Sequence, residues 1–220
     1  MGWTELGVAF AVFLLSHAIP VRPPVKPWLV ARLGQGGFTI LYSMLSLAVL
    51  VWVIGAAGRA PVVPLWPQMP ILQGGVIIGM LVVCLGVALS IGVPNPFSFG
   101  GGDPARYDPQ APGVIRLTRH PLLLGLALWG VVHVLANGDL AHVLLFGLFA
   151  GFAGLGTRIL DRRRQREMGP HWAELDVQRR SAPLSLGCFG PLTLRLLAGL
   201  GLFLLLWALH GPVIGVVPML

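Results

Sequence analysis

Charge is the scarcest thing in this sequence. Of 220 residues, 10% are charged and 55% are apolar, whereas a soluble domain carries about 25% charged residues. So few charges cannot cover a water-facing surface, which excludes a cytosolic globular protein, and so much apolar side chain excludes a disordered one. Lysine is all but missing, with Lys26 the one lysine among 15 cations. Eight Asp and Glu leave a formal net charge of +7. The cations lack the interleaved aromatics of a nucleic-acid surface, so no nucleic-acid partner is expected. The two cysteines, Cys84 in an apolar run and Cys188 in a basic loop, make neither a disulfide framework nor a metal spacing. No Lys or Arg precedes the first apolar run. The positive n-region of a cleavable signal peptide is therefore absent, and that run is expected to be retained.

What is abundant is long apolar sequence. Six runs stand out, at 3–19, 38–57, 72–93, 121–136, 140–160 and 192–209, and a span needs about 20 apolar residues. The expectation is an all-α polytopic bundle of six transmembrane helices, one integral domain over residues 1–220, with the lipid bilayer as its partner. Clusters of proline mark the first three loops, and Asn137-Gly138-Asp139 is a turn signal that makes a hairpin of the fourth and fifth helices. Positive residues accumulate in cytoplasmic loops. Loops one, three and five, with Arg195 at the edge of the sixth helix, hold fourteen of the fifteen cations, and Arg59 alone lies on the other side. That asymmetry predicts that both termini lie outside the cytoplasm.

Ionisable groups inside a membrane are costly and mark function, which directs attention to the six histidines. His17 ends the first helix, His120 opens the fourth as Arg119-His120-Pro121, and His133 lies within it. His142 follows the turn, His171 sits in the basic loop and His210 ends the sixth helix. His120 and His133 are separated by about 20 Å along the helix and roughly 140° around it, so they cannot share one metal ion. Trp129, His133 and Asn137 fall on one helical face. His133 is either a buried histidine hydrogen-bonded to a neighbouring helix or a ligand for a transition metal or haem iron, which imidazole suits. It could meet His142 across the hairpin. His17 is open in the same way, whereas His142 and His210 read as interfacial and His171 as solvated. Arg119 is an interfacial anchor or the holder of an anionic group, and Pro121 is a natural first helical residue.

The fifth loop, Asp161 through Pro183, reads as an amphipathic helix along the inner face of the membrane or over a cytoplasm-facing site. Gly100-Gly101-Gly102 is no phosphate loop, having no preceding strand and no following Lys-Ser/Thr. No nucleophile triad, carboxylate pair or cysteine cluster can be assembled.

The sequence resembles the NnrU family of bacterial membrane proteins. The likeness runs through His17 and the Pro/Arg-rich turn after it, Leu41-Tyr42-Ser43 with Ser46-Leu47, Arg116-Leu117-Thr118-Arg119-His120-Pro121, Gly125, Leu128-Trp129, His133 and Asn137-Gly138-Asp139. The resemblance implies an accessory role in nitrogen-oxide respiration (denitrification). NnrU-like proteins are in turn similar to the plant zeta-carotene isomerase, which isomerises a cis double bond of a lipophilic polyene with haem b. That likeness implies haem b held by His17 and His133. The isomerase has a cysteine three residues before the second histidine, where this chain has Gly130. By the helix boundaries above, His17 lies toward the cytoplasmic side and His133 toward the outer side. A more distant likeness, to isoprenylcysteine and phospholipid methyltransferases, implies an S-adenosylmethionine site using Arg119 and His120. The Glu-Glu pair of that pattern is replaced by Asp161-Arg162-Arg163-Arg164.

Overall fold

The computed structural model describes residues 2–184 and 189–218, with only the backbone of 189 and 190; Cys188 lies outside the described residues. All regular structure among them is helical: α1 Gly2–Ala18, α2 Val25–Arg59, α3 Pro70–Ser90, α4 Pro121–Asn137, α5 Leu140–Met168, α6 Pro170–Ser181 and α7 Phe189–Ile214, with 3₁₀ turns at Pro104–Arg106 and Gly113–Arg116. Four of these, α2, α3, α5 and α7, are long and apolar enough to cross a membrane, while α1 and α4 are apolar helices of 17 residues. A 17-residue helix is about 26 Å long, at the short end of what a bilayer core needs. The apolar side chains point outward as lipid-facing helices require: in α3 only Cys84 and Ser90 are buried, while Ile71 and Ile78 stand exposed.

Two boundaries differ from the sequence reading. Helix begins already at Val25, inside the proline-rich first loop, and Gly34 interrupts it with φ 70° and ψ 164°. Glycine is the residue that takes this conformation without strain. The fifth loop is likewise two elements. The end of α5 runs to Met168, Gly169 turns the chain at φ 59°, and α6 follows.

The chain gathers into two compact units, residues 1–67 with 138–145 and residues 68–137 with 146–220. In the first, α1 packs on α2. Leu6, Ala9 and Phe13 form the buried stripe of α1, against Phe38, Val49, Val53, Ala56 and Ala57 of α2. Arg59 reaches Glu5 at 2.5 Å, and Trp52 Nε1 donates to the same carboxylate at 3.4 Å, tying the start of α1 to the end of α2. In the second unit α3 packs on both α4 and α7. Small residues permit these approaches: a Cβ on Gly199 would lie 2.9 Å from Leu85 Cα.

Candidate functional site

Two polar constellations interrupt the apolar second unit. The first follows from the i, i+4 spacing on α4. His133 Nδ1 meets the Trp129 carbonyl at 2.8 Å, and Asn137 Nδ2 donates to the His133 carbonyl at 2.8 Å. A carbonyl only accepts, so Nδ1 carries the proton and Nε2 is left to bind. The His133 ring packs between Trp129 and Phe146, at centroid distances of 5.1 and 4.8 Å. His133 and Asn137 line a cavity of about 160 Å³ whose walls also include Met80, Phe203, Trp207 and His210. Cavities of this size accept a benzene-sized molecule. His210 repeats the pattern of His133: its Nδ1 is 2.6 Å from the Val216 carbonyl. A helix-end histidine read as interfacial is therefore the one the structure brings to the cavity of His133.

His17 belongs to the first unit. Its Nδ1 lies 2.8 Å from the Phe13 carbonyl, its ring packs on Phe13 at 4.2 Å and meets Tyr42 edge-on at 6.1 Å. His142, also in the first unit, is bound 2.7 Å from Asp139. His171 stands exposed beside Glu174 at 3.4 Å.

The second constellation surrounds Arg119-His120-Pro121. The His120 carbonyl accepts from Leu124 N at 2.9 Å, so His120 is the residue that starts α4 and Pro121 its first turn. Arg119 grips two carboxylates. Nε and Nη2 reach the two oxygens of Asp161 at 3.0 and 2.7 Å, and Nη1 reaches both oxygens of Asp176 at 3.0 Å. Its guanidinium also lies over the Trp172 ring at 5.1 Å. Asp176, on α6, additionally binds Arg179 at 2.8 Å and Arg180 at 2.6 Å, and Arg179 donates to the carbonyls of Ile115 and Arg116. Burial alone would raise the Asp176 carboxyl; hydrogen bonds from Arg179, Arg119 and Arg180 outweigh it and hold the group below its ordinary range.

His120 is buried and sets Nε2 2.9 Å from Asp161 Oδ1. Burial lowers its pKa, the Asp161 hydrogen bond offsets part of that, and the net shift is downward, so the ring is neutral at pH 7. The anionic group that Arg119 holds is thus the protein's own pair of aspartates. The amphipathic reading of residues 161–183 missed that Asp176 and Arg179 face inward. The scarcity of carboxylates, eight in the chain, was the signal that could have singled out Asp161 and Asp176.

A family model, NnrU protein, matches residues 5–218. The chain belongs to the NnrU family. No curated protein and no solved structure matches it. For a haem, the donor chemistry of this NnrU-family chain fits. Iron takes neutral imidazole, and a ligating histidine characteristically gives its other N–H to a carbonyl, as His17, His133 and His210 all do. Among the described residues no group of three or more His, Cys, Asp or Glu gathers for a metal ion.

Proposed function

We propose that this NnrU-type protein is a single inner-membrane domain that crosses the bilayer six times, keeps both termini outside the cytoplasm, binds haem b and serves as an accessory to nitrogen-oxide respiration. The observation that carries the haem reading is His133, with Nδ1 fixed by the Trp129 carbonyl and Nε2 left for a ligand beside a mainly apolar cavity. Haem iron, when bound, supplies a redox-active centre that exchanges ligands. The chain's part is to fix the imidazole tautomer, to stiffen the ring between Trp129 and Phe146, and to keep bulk water away with Val76, Ile77 and Phe203. The cavity alone is smaller than a porphyrin, and the fit rests on the donor atoms.

The second ligand has two claimants. The isomerase resemblance implies His17; the shared cavity favours His210. The rival activity, cis–trans isomerisation of a lipophilic polyene, draws support from the apolar cavity walls and from the same histidine.

An absorption spectrum of detergent-purified protein expressed with ample haem tests the reading. A Soret band that His133→Ala abolishes or shifts is the expected result, and no band in the wild type would end it. His17→Ala and His210→Ala, compared on the same band, identify the second ligand. A host making poly-cis carotene and showing no all-trans gain would count against the isomerase. A deletion strain that reduces nitrite and nitric oxide at the parental rate would remove the respiratory role.

A further inference from the structure

The Arg119 network leaves something over. Asp161 is a carboxylate held by the Arg119 fork, so the His120 nitrogen beside it, Nε2, is the protonated one. The neutral ring then carries its lone pair on Nδ1. That atom is buried and has no hydrogen-bond partner among the described residues, and the same is true of Ser98 Oγ, Tyr107 Oη and Trp172 Nε1. Three of these residues gather about one side chain, and His120 follows Arg119, whose guanidinium lies over the Trp172 ring. Phe97 is fully buried and meets the rings of Tyr107 and Trp172 edge-on at 5.9 and 6.1 Å. Ser98 is its chain neighbour, and Asn95 ties the loop to Arg119 by donating to that residue's carbonyl at 3.0 Å. Burial pushes the Tyr107 hydroxyl up to about 12, so it remains a donor at every physiological pH.

A buried polar atom without a partner costs about 1–3 kcal/mol, and three beside one ring with a fourth on His120 are a costly arrangement unless something satisfies them. Tyr107 and Trp172 supply donors, Ser98 supplies either role, and His120 Nδ1 demands a donor in return. A ligand matching that set has several acceptor oxygens and one O–H. Positive charge draws an anion here, because Arg119, Arg179 and Arg180 outnumber Asp161 and Asp176 in the network.

We propose that His120, Tyr107, Ser98 and Trp172 form a recognition site for a protonated phosphate group, with the P–OH donated to His120 Nδ1 and the phosphoryl oxygens accepting from Tyr107 and Trp172. A phosphomonoester lipid headgroup and free inorganic phosphate share this chemistry. The site uses none of the residues of the haem reading and stands whether or not haem binds.

Nitrogen NMR of ¹⁵N-histidine-labelled full-length protein in nanodiscs tests it, the His120 signals being assigned by their loss in His120→Gln. Inorganic phosphate is titrated into phosphatidylcholine discs, and a second sample contains phosphatidic acid. The expected result is a shift of the His120 Nδ1 signal, with the midpoint weakened at least tenfold by Tyr107→Phe, which keeps the ring on Phe97, and weakened likewise by Ser98→Ala. A shift in both samples identifies free phosphate; a shift with phosphatidic acid alone identifies the headgroup. No shift in either overturns the proposal. So does a titration that both variants leave unchanged, which would mean an adventitious ion only.

Discussion

Arg119 and Asp161, 42 residues apart, meet fork to fork: Nε to Oδ1 at 3.0 Å and Nη2 to Oδ2 at 2.7 Å. The third nitrogen of the same guanidinium takes Asp176, so one side chain joins the start of α4, the end of α5 and α6. Neither carboxylate side chain exceeds 18% exposure, which places the contact beyond the weak regime of surface ion pairs.

Removing Arg119 leaves two partly buried carboxylates short of a partner. Arg119→Ala is expected to destabilise the protein by about 3 kcal/mol, the low end for a broken buried pair. Arg119→Lys should lose about half of that, since one ammonium cannot reproduce a three-nitrogen grip. Denaturant unfolding in micelles measures both. Equal stability of all three proteins would mean the network contributes nothing.

Acid should loosen the same region in two stages. His120 and Asp176 both have folded pKa values below their ordinary ones. The unfolded chain therefore binds more protons, and stability falls as pH falls. The His120 contribution is lost below about pH 6.5 and the Asp176 contribution below about pH 4. The groups facing His120 are Asp161, Arg119 and Arg179. Melting temperatures from pH 8 to pH 3 should be flat, then decline in both windows, and His120→Gln should shrink the upper decline alone. An unchanged upper decline in that variant would assign it to other histidines.

The parts of this arrangement that the sequence made legible are the local ones. Apolar runs located the helices, because lipid-facing side chains leave no alternating pattern to misread, and the i, i+4 spacing placed Trp129, His133 and Asn137 on one stripe. Local punctuation was harder. Proline at 23, 24 and 27 hid the helix that starts at Val25, and the single glycine Gly169 divided what read as one amphipathic segment. Long-range partnerships were out of reach. Nothing near Arg119 in the chain announces Asp161 or Asp176, and nothing near His133 announces His210, 77 positions further along.

Phe97 is the hub on which Tyr107 and Trp172 pack, and it has no exposed surface. Phe97→Ala is expected to cost about 3–5 kcal/mol and to redden the emission of Trp172 as water reaches its ring. Phe97→Leu, nearer in volume, should cost less than about 2 kcal/mol. Parental stability in Phe97→Ala would show that the loop from Asn95 to Ser98 is not fastened through this ring.

The reason for glycine at position 130 is steric. A Cβ there would lie 2.7 Å from the Phe146 carbonyl oxygen and 3.1 Å from Ala150 Cβ and N. Both obstacles belong to the body of α5, so no rotamer change relieves them. Replacing a helical glycine gains up to about 1 kcal/mol of propensity, while overpacking costs about 1–3 kcal/mol, and the rigid neighbours decide the sign. Gly130→Ala and Gly130→Cys should therefore destabilise to a similar degree, because the Cβ and not the sulfur makes the clash. If haem is bound, Gly130→Cys should weaken its Soret band by disturbing His133 without producing a thiolate spectrum. A stabilised Gly130→Ala would show that α4 and α5 can separate, and a thiolate signature in Gly130→Cys would show that position 130 reaches the iron.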